Sequence, residues 1–341
     1  MFTDILEKIS INEDLLPEEA TFALQQIVDG SVSNEEVAAF LYGMRIKGET
    51  VSELTAFVKV MRKAATIVEV DTTGAVDLCG TGGDKSGTFN ISTAAMFVVA
   101  GAGVPVLKHG NKSVSSKSGS YDVLETLGVV PNLQKNEVEK LFNETGMAFM
   151  FAPNFHPAMK YVMPARRALK VRTFFNMLGP LLNPAQVRHQ VVGAFSRVAA
   201  HNMVQILANL DTETAFTLSA HDGLDEVSTT SNTEIFELKS SISGNSNSFD
   251  PRSLNYTLAK SDDLLGGDAA VNAEIIKNIF TGKSTKPQRD IVELNAAFGI
   301  YVTGAADSIE TAKEMATESI DSGAAADKLN LFATTSQKLA K

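Results

Sequence analysis

Through the first seventy residues the apolar positions recur at helical spacing. Val51, Leu54, Val58, Met61 and Ala65 follow i, i+3, i+7 steps and make one apolar face. Ser33-Asn-Glu-Glu36 and Thr50-Val-Ser-Glu53 both have capping-box spacing, and Pro17 suits the first position of a helix running through EEATFALQQIV. This region therefore predicts helices and no strand. From residue 76 the texture changes. The short apolar runs VDLC, VPVL, AFMF, QVVGAF and AFTLSA alternate with helical stretches such as STAAMFVVAGAG, YDVLETLG and AAHNMVQILANL. Continuous apolar strands separated by helices predict a parallel sheet covered on both faces. SSISGNSNSFD (residues 240–250) has little to bury and is expected to be a loop. The tail from 266 returns to helix-rich sequence.

Composition narrows the class without changing that picture. The 341 residues allow one large domain or two modest ones, and 44% hydrophobic with 21% charged is an ordinary globular balance. Apolar runs fall short of a membrane span, and MFTDILEKIS carries acids where a signal peptide would carry bases, so a cytoplasmic enzyme is expected. One cysteine, Cys79, excludes a disulfide framework and a cysteine-based zinc site. A net charge of −10 argues against a general nucleic-acid surface. Against that acidic background Lys85, Lys108, Lys112 and Lys117 cluster within or just after one glycine-rich segment.

That segment, VDLCGTGGDKSGTFNIST, reads as strand, loop and helix, with the helix beginning near Ser92. A bare loop ahead of a helix gathers main-chain N–H groups at one point, which suits a phosphate. It is not a P-loop, because Asp84 rather than glycine precedes Lys85 and Cys79 stands where the first glycine belongs. Nor is it a dinucleotide fingerprint, since Lys85 occupies a required glycine position. A tight turn without a ligand is the plain alternative. A second strand, VPVL, runs into KHGNKSVSSKSGS, with three lysines, four serines before Gly119, an asparagine and a histidine. Its place after a strand, beside the first loop, favours ligand binding at the strands' carboxyl ends over a merely solvated basic loop.

DLCGTGGDKSGTFNIST, KHGNKSVSSKSGS, HPAMKYVMPARRALKVRTFFNMLGPLLNP and HDGLDEVS, in that order along essentially the whole chain, resemble the anthranilate phosphoribosyltransferase family. The resemblance implies an α/β fold of nucleoside phosphorylase/phosphoribosyltransferase type: a small N-terminal helical domain and a larger α/β domain with a mostly parallel central sheet flanked by helices. The expected division is 1–70, joined by helices from about 170–190, and 71–341. A homodimer, a place in tryptophan biosynthesis and a reaction are also implied, in which anthranilate displaces pyrophosphate from phosphoribosyl pyrophosphate with Mg²⁺ assisting. Two positions depart from the family pattern. Lys112 stands where arginine is expected, keeping the charge but losing a two-pronged phosphate contact, and Tyr121 replaces a small residue.

By the same resemblance, phosphoribosyl pyrophosphate is held by Gly80, Gly83, Asp84, Thr88, Asn90, Ile91, Ser92 and Thr93. Lys108, His109, Gly110, Asn111, Lys112, Ser113, Val114, Ser115, Ser116 and Ser120 complete that site. Anthranilate is assigned to Gly80, Asn111 and Arg166, and Mg²⁺ to Ser92, Asp225 and Glu226. An acidic pair in a loop is usually a solvated surface, but hard oxygen donors after a strand are also what Mg²⁺ needs beside a diphosphate. Cys79 reads as a small buried residue rather than a nucleophile. His109 is expected either to line the anthranilate site or to position a neighbour, whereas His156, His189, His201 and His221 read as structural. An aromatic amine is neutral at pH 7, so no general base is assigned. Pyrimidine nucleoside phosphorylase and a non-catalytic phosphosugar-binding regulator are the competing readings.

Overall fold

The computed structural model describes residues 1–84, 86–112, 117–240 and 242–341, with the side chains of 243 and 245 left aside. Lys85 and the expected ligands Ser113, Val114, Ser115 and Ser116 lie outside the described residues. The N-terminal helices are α1 (Phe2–Ser10), α2 (Pro17–Val28), α3 (Asn34–Lys47) and α4 (Val51–Lys63). Pro17 opens α2, and Ser33 and Thr50 cap α3 and α4 in reciprocal capping boxes. On α4 burial goes beyond the expected stripe, since Glu53, Thr55, Ala56, Phe57 and Val60 are buried beside Leu54, Val58 and Met61.

The sheet strands are β1 (Val76–Gly80), β2 (Val106–Gly110), β3 (Met147–Phe151), β4 (His189–Gly193), β5 (Thr214–Ala220), β6 (Thr233–Lys239) and β7 (Ile242–Phe249). Their order is β3-β2-β1-β4-β5-β6-β7. The first five pair in parallel, as their continuous apolar runs predict, and β6 and β7 add an antiparallel edge. The expected loop at 240–250 is thus largely the strand β7. So polar a sequence is tolerated because it lies at the sheet edge, where pairing with β6 supplies its main-chain hydrogen bonds and its outer side is open.

Between the strands lie α5 (Ile91–Gly101), α6 (Ser120–Thr126), α7 (Lys135–Thr145), α8 (Ala152–Phe155), α9 (Met159–Leu169), α10 (Phe175–Leu178) and α11 (Arg197–Ala208), of which α9 and α10 pack with the N-terminal helices. Four C-terminal helices follow: α12 (Ala269–Phe280), α13 (Lys286–Tyr301), α14 (Ile309–Asp321) and α15 (Ala324–Leu339). One apolar cluster joins α5, α13 and α15 to the sheet; a second pools α1–α4 with residues from 158–165, from 174–182 and from α11. From β1 the chain winds outward through β2 and β3, then returns to place β4 on β1's other side. That reversal opens a crevice beyond the carboxyl ends of β1 and β4, the usual ligand position in an open α/β sheet.

Candidate active site at the carboxyl ends of β1, β2 and β5

Gly80 ends β1 opposite Gly193 on β4. The chain of Asp225 crosses directly over this pair. A Cβ at Gly193 would overlap the Asp225 carbonyl oxygen, and one at Gly80 would lie 2.7 Å from Asp225 Oδ2. Only glycine admits so close a crossing. The loop then turns through Gly82 and Gly83 at φ +64° and +72°. Thr81 N–H donates to Gly193 O at 2.9 Å, and Thr81 Oγ1 accepts from Phe195 N–H at 3.0 Å. The Gly82 N–H donates to Asp225 Oδ2 at 2.7 Å, so a loop built of main-chain donors already holds an anion.

The returning limb is braced by the segment before α12. Phe89 N–H donates to Leu264 O at 3.2 Å, Gly266 N–H to Gly87 O at 2.9 Å, and Thr88 bridges Leu265. Asn90 acts as a strut, donating from Nδ2 to Ser118 O at 3.2 Å and accepting from Asn272 Nδ2 at 2.9 Å. Ile91 and Thr93 are buried, which leaves their main chain rather than their side chains to face a ligand. Ser92 sits at the junction. Its N–H donates to Glu226 Oε1 at 3.2 Å, and its hydroxyl accepts from Lys108 Nζ at 3.1 Å.

Lys108 is buried in the middle of β2 and also donates to Leu78 O. Gly110 lets Ser120 and Phe149 approach, since a Cβ there would overlap Ser120 Oγ and lie 2.6 Å from the Phe149 ring. Asn111 O accepts from Ser120 Oγ at 3.2 Å, and Lys112 holds its ammonium 4.2 Å from the buried Tyr121 ring. The two departures from the family pattern therefore touch each other. His109 is buried on β2, takes its N–H to Asp77 Oδ1 at 3.3 Å, and meets His156 edge-on with ring centroids 5.1 Å apart. Burial pushes both imidazoles down, His156 to about 4, so both are neutral at pH 7.

Charge is left unbalanced here. Burial raises Asp225 to about 6, aided by Asp84, and burial with the neighbouring Asp225 raises Glu226 to about 8. Neither forms an ion pair among the described residues. A cation would relieve this imbalance, and the oxygen donors of Asp225, Glu226 and Ser92 are hard ligands suited to Mg²⁺. Among the described residues no three acidic, histidine or cysteine side chains close around one point, so substrate or water oxygens would have to supply the remaining ligands. Arg166, on α9, is half-buried against the Phe175 ring at 5.5 Å, and that burial lowers its pKa. Among the described residues no hydrogen bond joins it to Gly80 or Asn111. Arg172, inside the stretch HPAMKYVMPARRALKVRTFFNMLGPLLNP, and Asn272 engage the glycine loop although the sequence assigns neither a role, and their partners lie 89 and 182 residues away in the chain.

Residues 72–326 match the family described as the glycosyl transferase family, a/b domain, and residues 3–65 match its helical bundle domain. The chain is 49% identical over 337 residues to an anthranilate phosphoribosyltransferase of Salinibacter ruber, covering 98% of each. It is 47% identical to one of Alkaliphilus metalliredigens, covering 99% of each. Among solved structures, the anthranilate phosphoribosyltransferase of Thermus thermophilus superposes with a TM-score of 0.91 at 33% identity, covering 97% of this chain and 99% of that one. The Saccharomyces cerevisiae enzyme in complex with PRPP and Mg superposes at 0.90 with 26% identity, over 99% of this chain and 98% of that one.

Proposed function

The chain belongs to the anthranilate phosphoribosyltransferase family, and we propose that it runs this reaction in the crevice between the glycine loop, the end of β2 and Asp225-Glu226. It transfers the phosphoribosyl group from phosphoribosyl pyrophosphate to anthranilate, releasing pyrophosphate, in tryptophan biosynthesis. The observation that carries the assignment of the site is the acidic pair raised by burial directly beside a loop of main-chain donors. Asp225, Glu226 and Ser92 would hold Mg²⁺, which neutralises charge developing on the departing pyrophosphate. Main-chain N–H groups of residues 80–84 and of the α5 N-terminus, with Lys108 and Lys112, bind the phosphates. For Asp225 this requires exchanging the Gly82 N–H for its new partners.

Arg166 turns its planar fork to the anthranilate carboxylate, orienting the ring so that its amine faces the ribosyl carbon. The C–O bond to pyrophosphate breaks, the C–N bond forms, and the amine then sheds a proton to solvent. Because the amine arrives neutral, positioning and charge stabilisation carry the rate and no general base is needed. His109 and His156, both neutral and buried, serve as walls. The resemblance also supports a division at residue 70, with the second apolar cluster extending the joined helices back to Ala158. It supports a cytoplasmic homodimer as well. The exposed Leu16 and Phe22 of the N-terminal helical region offer an apolar face for a second copy.

The test follows anthranilate fluorescence. Consumption should require both phosphoribosyl pyrophosphate and Mg²⁺. Cleavage of thymidine or uridine with phosphate, and none of anthranilate, would overturn the reading.

A further inference from the structure

Arg172 lies between α9 and α10 and makes three contacts on three different parts of the molecule. Its Nη2 donates to Gly83 O at 2.5 Å. Its guanidinium stacks on Phe195, 4.8 Å from the ring centroid, and Phe195 N–H donates to Thr81 Oγ1. Its own carbonyl accepts from Arg45 Nη1 of α3 at 2.6 Å. One planar cation therefore touches the Gly83 limb of the glycine turn directly and reaches the Thr81 limb through Phe195, while its main chain is tied to the helical bundle. It has no carboxylate partner among the described residues, so an ion pair is not what places it.

Gly83 sits at φ +72°, a conformation in which glycine meets no Cβ penalty. The peptide from Gly83 to Asp84 accordingly has little intrinsic reason to keep one orientation. In a trans peptide the carbonyl and the following N–H point in opposite directions. Holding Gly83 O toward Arg172 thus turns the Asp84 N–H away from Arg172. A flipped peptide would instead present a carbonyl where a phosphate is to be bound, replacing attraction with repulsion.

We propose that Arg172 is a positioning residue for phosphoribosyl pyrophosphate: it pins the peptide between Gly83 and Asp84 and links that orientation to the helical bundle through Arg45. The proposal rests on the reading of the glycine loop as the diphosphate cradle. Arginine suits the task because one flat group both stacks on a ring and donates in its own plane, whereas lysine supplies only a point charge.

The experiment measures Mg²⁺–phosphoribosyl pyrophosphate binding by calorimetry, both Michaelis constants, and amide hydrogen exchange, for wild type, Arg172→Ala, Arg172→Lys and Arg45→Ala. Loss of a charged hydrogen bond should weaken phosphoribosyl pyrophosphate about tenfold in Arg172→Ala, with the anthranilate KM and kcat within about twofold. Exchange across residues 80–84 should accelerate while the rest of the sheet keeps its protection. Arg172→Lys should recover part of the affinity, and Arg45→Ala should show a smaller loss in the same parameter. If Arg172→Ala does not fold, Arg172→Lys and Arg45→Ala still report the same parameter and the same exchange.

Unchanged affinity and exchange in these variants, with wild type binding normally, would overturn the role of Arg172 alone. A fall in kcat with the phosphoribosyl pyrophosphate KM unchanged would also overturn it. Wild type failing to bind phosphoribosyl pyrophosphate would instead defeat the underlying functional reading, and the proposal with it.

Discussion

Glu53 in the helical bundle and the half-buried Asp225-Glu226 pair above the sheet are carboxylates drawn away from water to different degrees, and the protein serves them differently. Glu53 is fully buried. It accepts from Leu15 N–H at 2.8 Å, Thr50 N–H at 2.8 Å, Thr50 Oγ1 at 3.1 Å and the Lys47 ammonium at 3.0 Å. Asp225 accepts from the Gly82 N–H and Glu226 from the Ser92 N–H, and no cation pairs with either among the described residues. The buried ammonium beside them, Lys108, donates to Leu78 O and Ser92 Oγ instead. A carboxylate that holds a fold together is given its counter-charge by the chain. A carboxylate that receives a metal is left short of it, and its raised pKa records the deficit.

The largest effect should come from breaking the satisfied side. Glu53→Ala removes the acceptor for two main-chain donors and leaves the Lys47 ammonium, whose side chain is 1% exposed, with only Asp14 and Gly48 O as partners. It should cost about 2–4 kcal/mol in denaturant unfolding, from two donors left without their acceptor, while the protein that remains folded keeps its Michaelis constants. Equal loss of stability from Asp225→Asn would erase the contrast.

Arg166 extends the comparison to cations, being half-buried without a carboxylate partner among the described residues. Arg166→Ala should leave stability nearly intact and raise the anthranilate KM about ten- to a hundredfold, the worth of about 1.5–3 kcal/mol for a charged hydrogen bond. Separate variation of the two substrates checks this. A rise confined to the phosphoribosyl pyrophosphate KM would move Arg166 to the phosphate site.

A smaller effect concerns pH. Asp225 at about 6 and Glu226 at about 8 both lie above their ordinary values of 3.8 and 4.5, so the folded protein binds more protons than the unfolded chain between those limits. Their contribution to stability is complete below the ordinary values and is lost as pH rises through 6 and then 8. Metal-free protein should therefore lose a few degrees of Tm between about pH 4 and 8 and level off above. Saturating Mg²⁺ should flatten that slope, and calorimetric scans with and without the metal would show it.

Much of this is legible in the residues. β1 to β5 announce themselves as continuous apolar runs because both their faces are covered, and the capping boxes place α3 and α4. The hairpin of β6 and β7 does not, because an edge strand such as ISGNSNSF can stay polar while its partner supplies the hydrogen bonds. The glycine loop stands out through its spacing. Why Gly193 must be glycine does not, since the Asp225 chain that crosses it lies 32 residues further on. Glu53 reads as a capping acid, and only packing against Leu15 and Lys47 makes it a buried hub. Arg172 lies within the quoted stretch HPAMKYVMPARRALKVRTFFNMLGPLLNP, yet nothing there marks it for a role, because that role depends on a carbonyl, a ring and a helix brought together by the fold.

The claim at the centre, that the acidic pair is left without a counter-ion in order to receive Mg²⁺ with phosphoribosyl pyrophosphate, is tested most directly by the Mg²⁺ dependence of Asp225→Asn/Glu226→Gln. These changes remove the charge and keep the size. At low Mg²⁺ and saturating phosphoribosyl pyrophosphate, anthranilate consumption should fall about a hundredfold or more and recover only in part as Mg²⁺ is raised. The metal-free variant should be at least as stable as wild type, since a buried repulsion has been relieved. A folded double variant with an unchanged Mg²⁺ dependence would contradict the account.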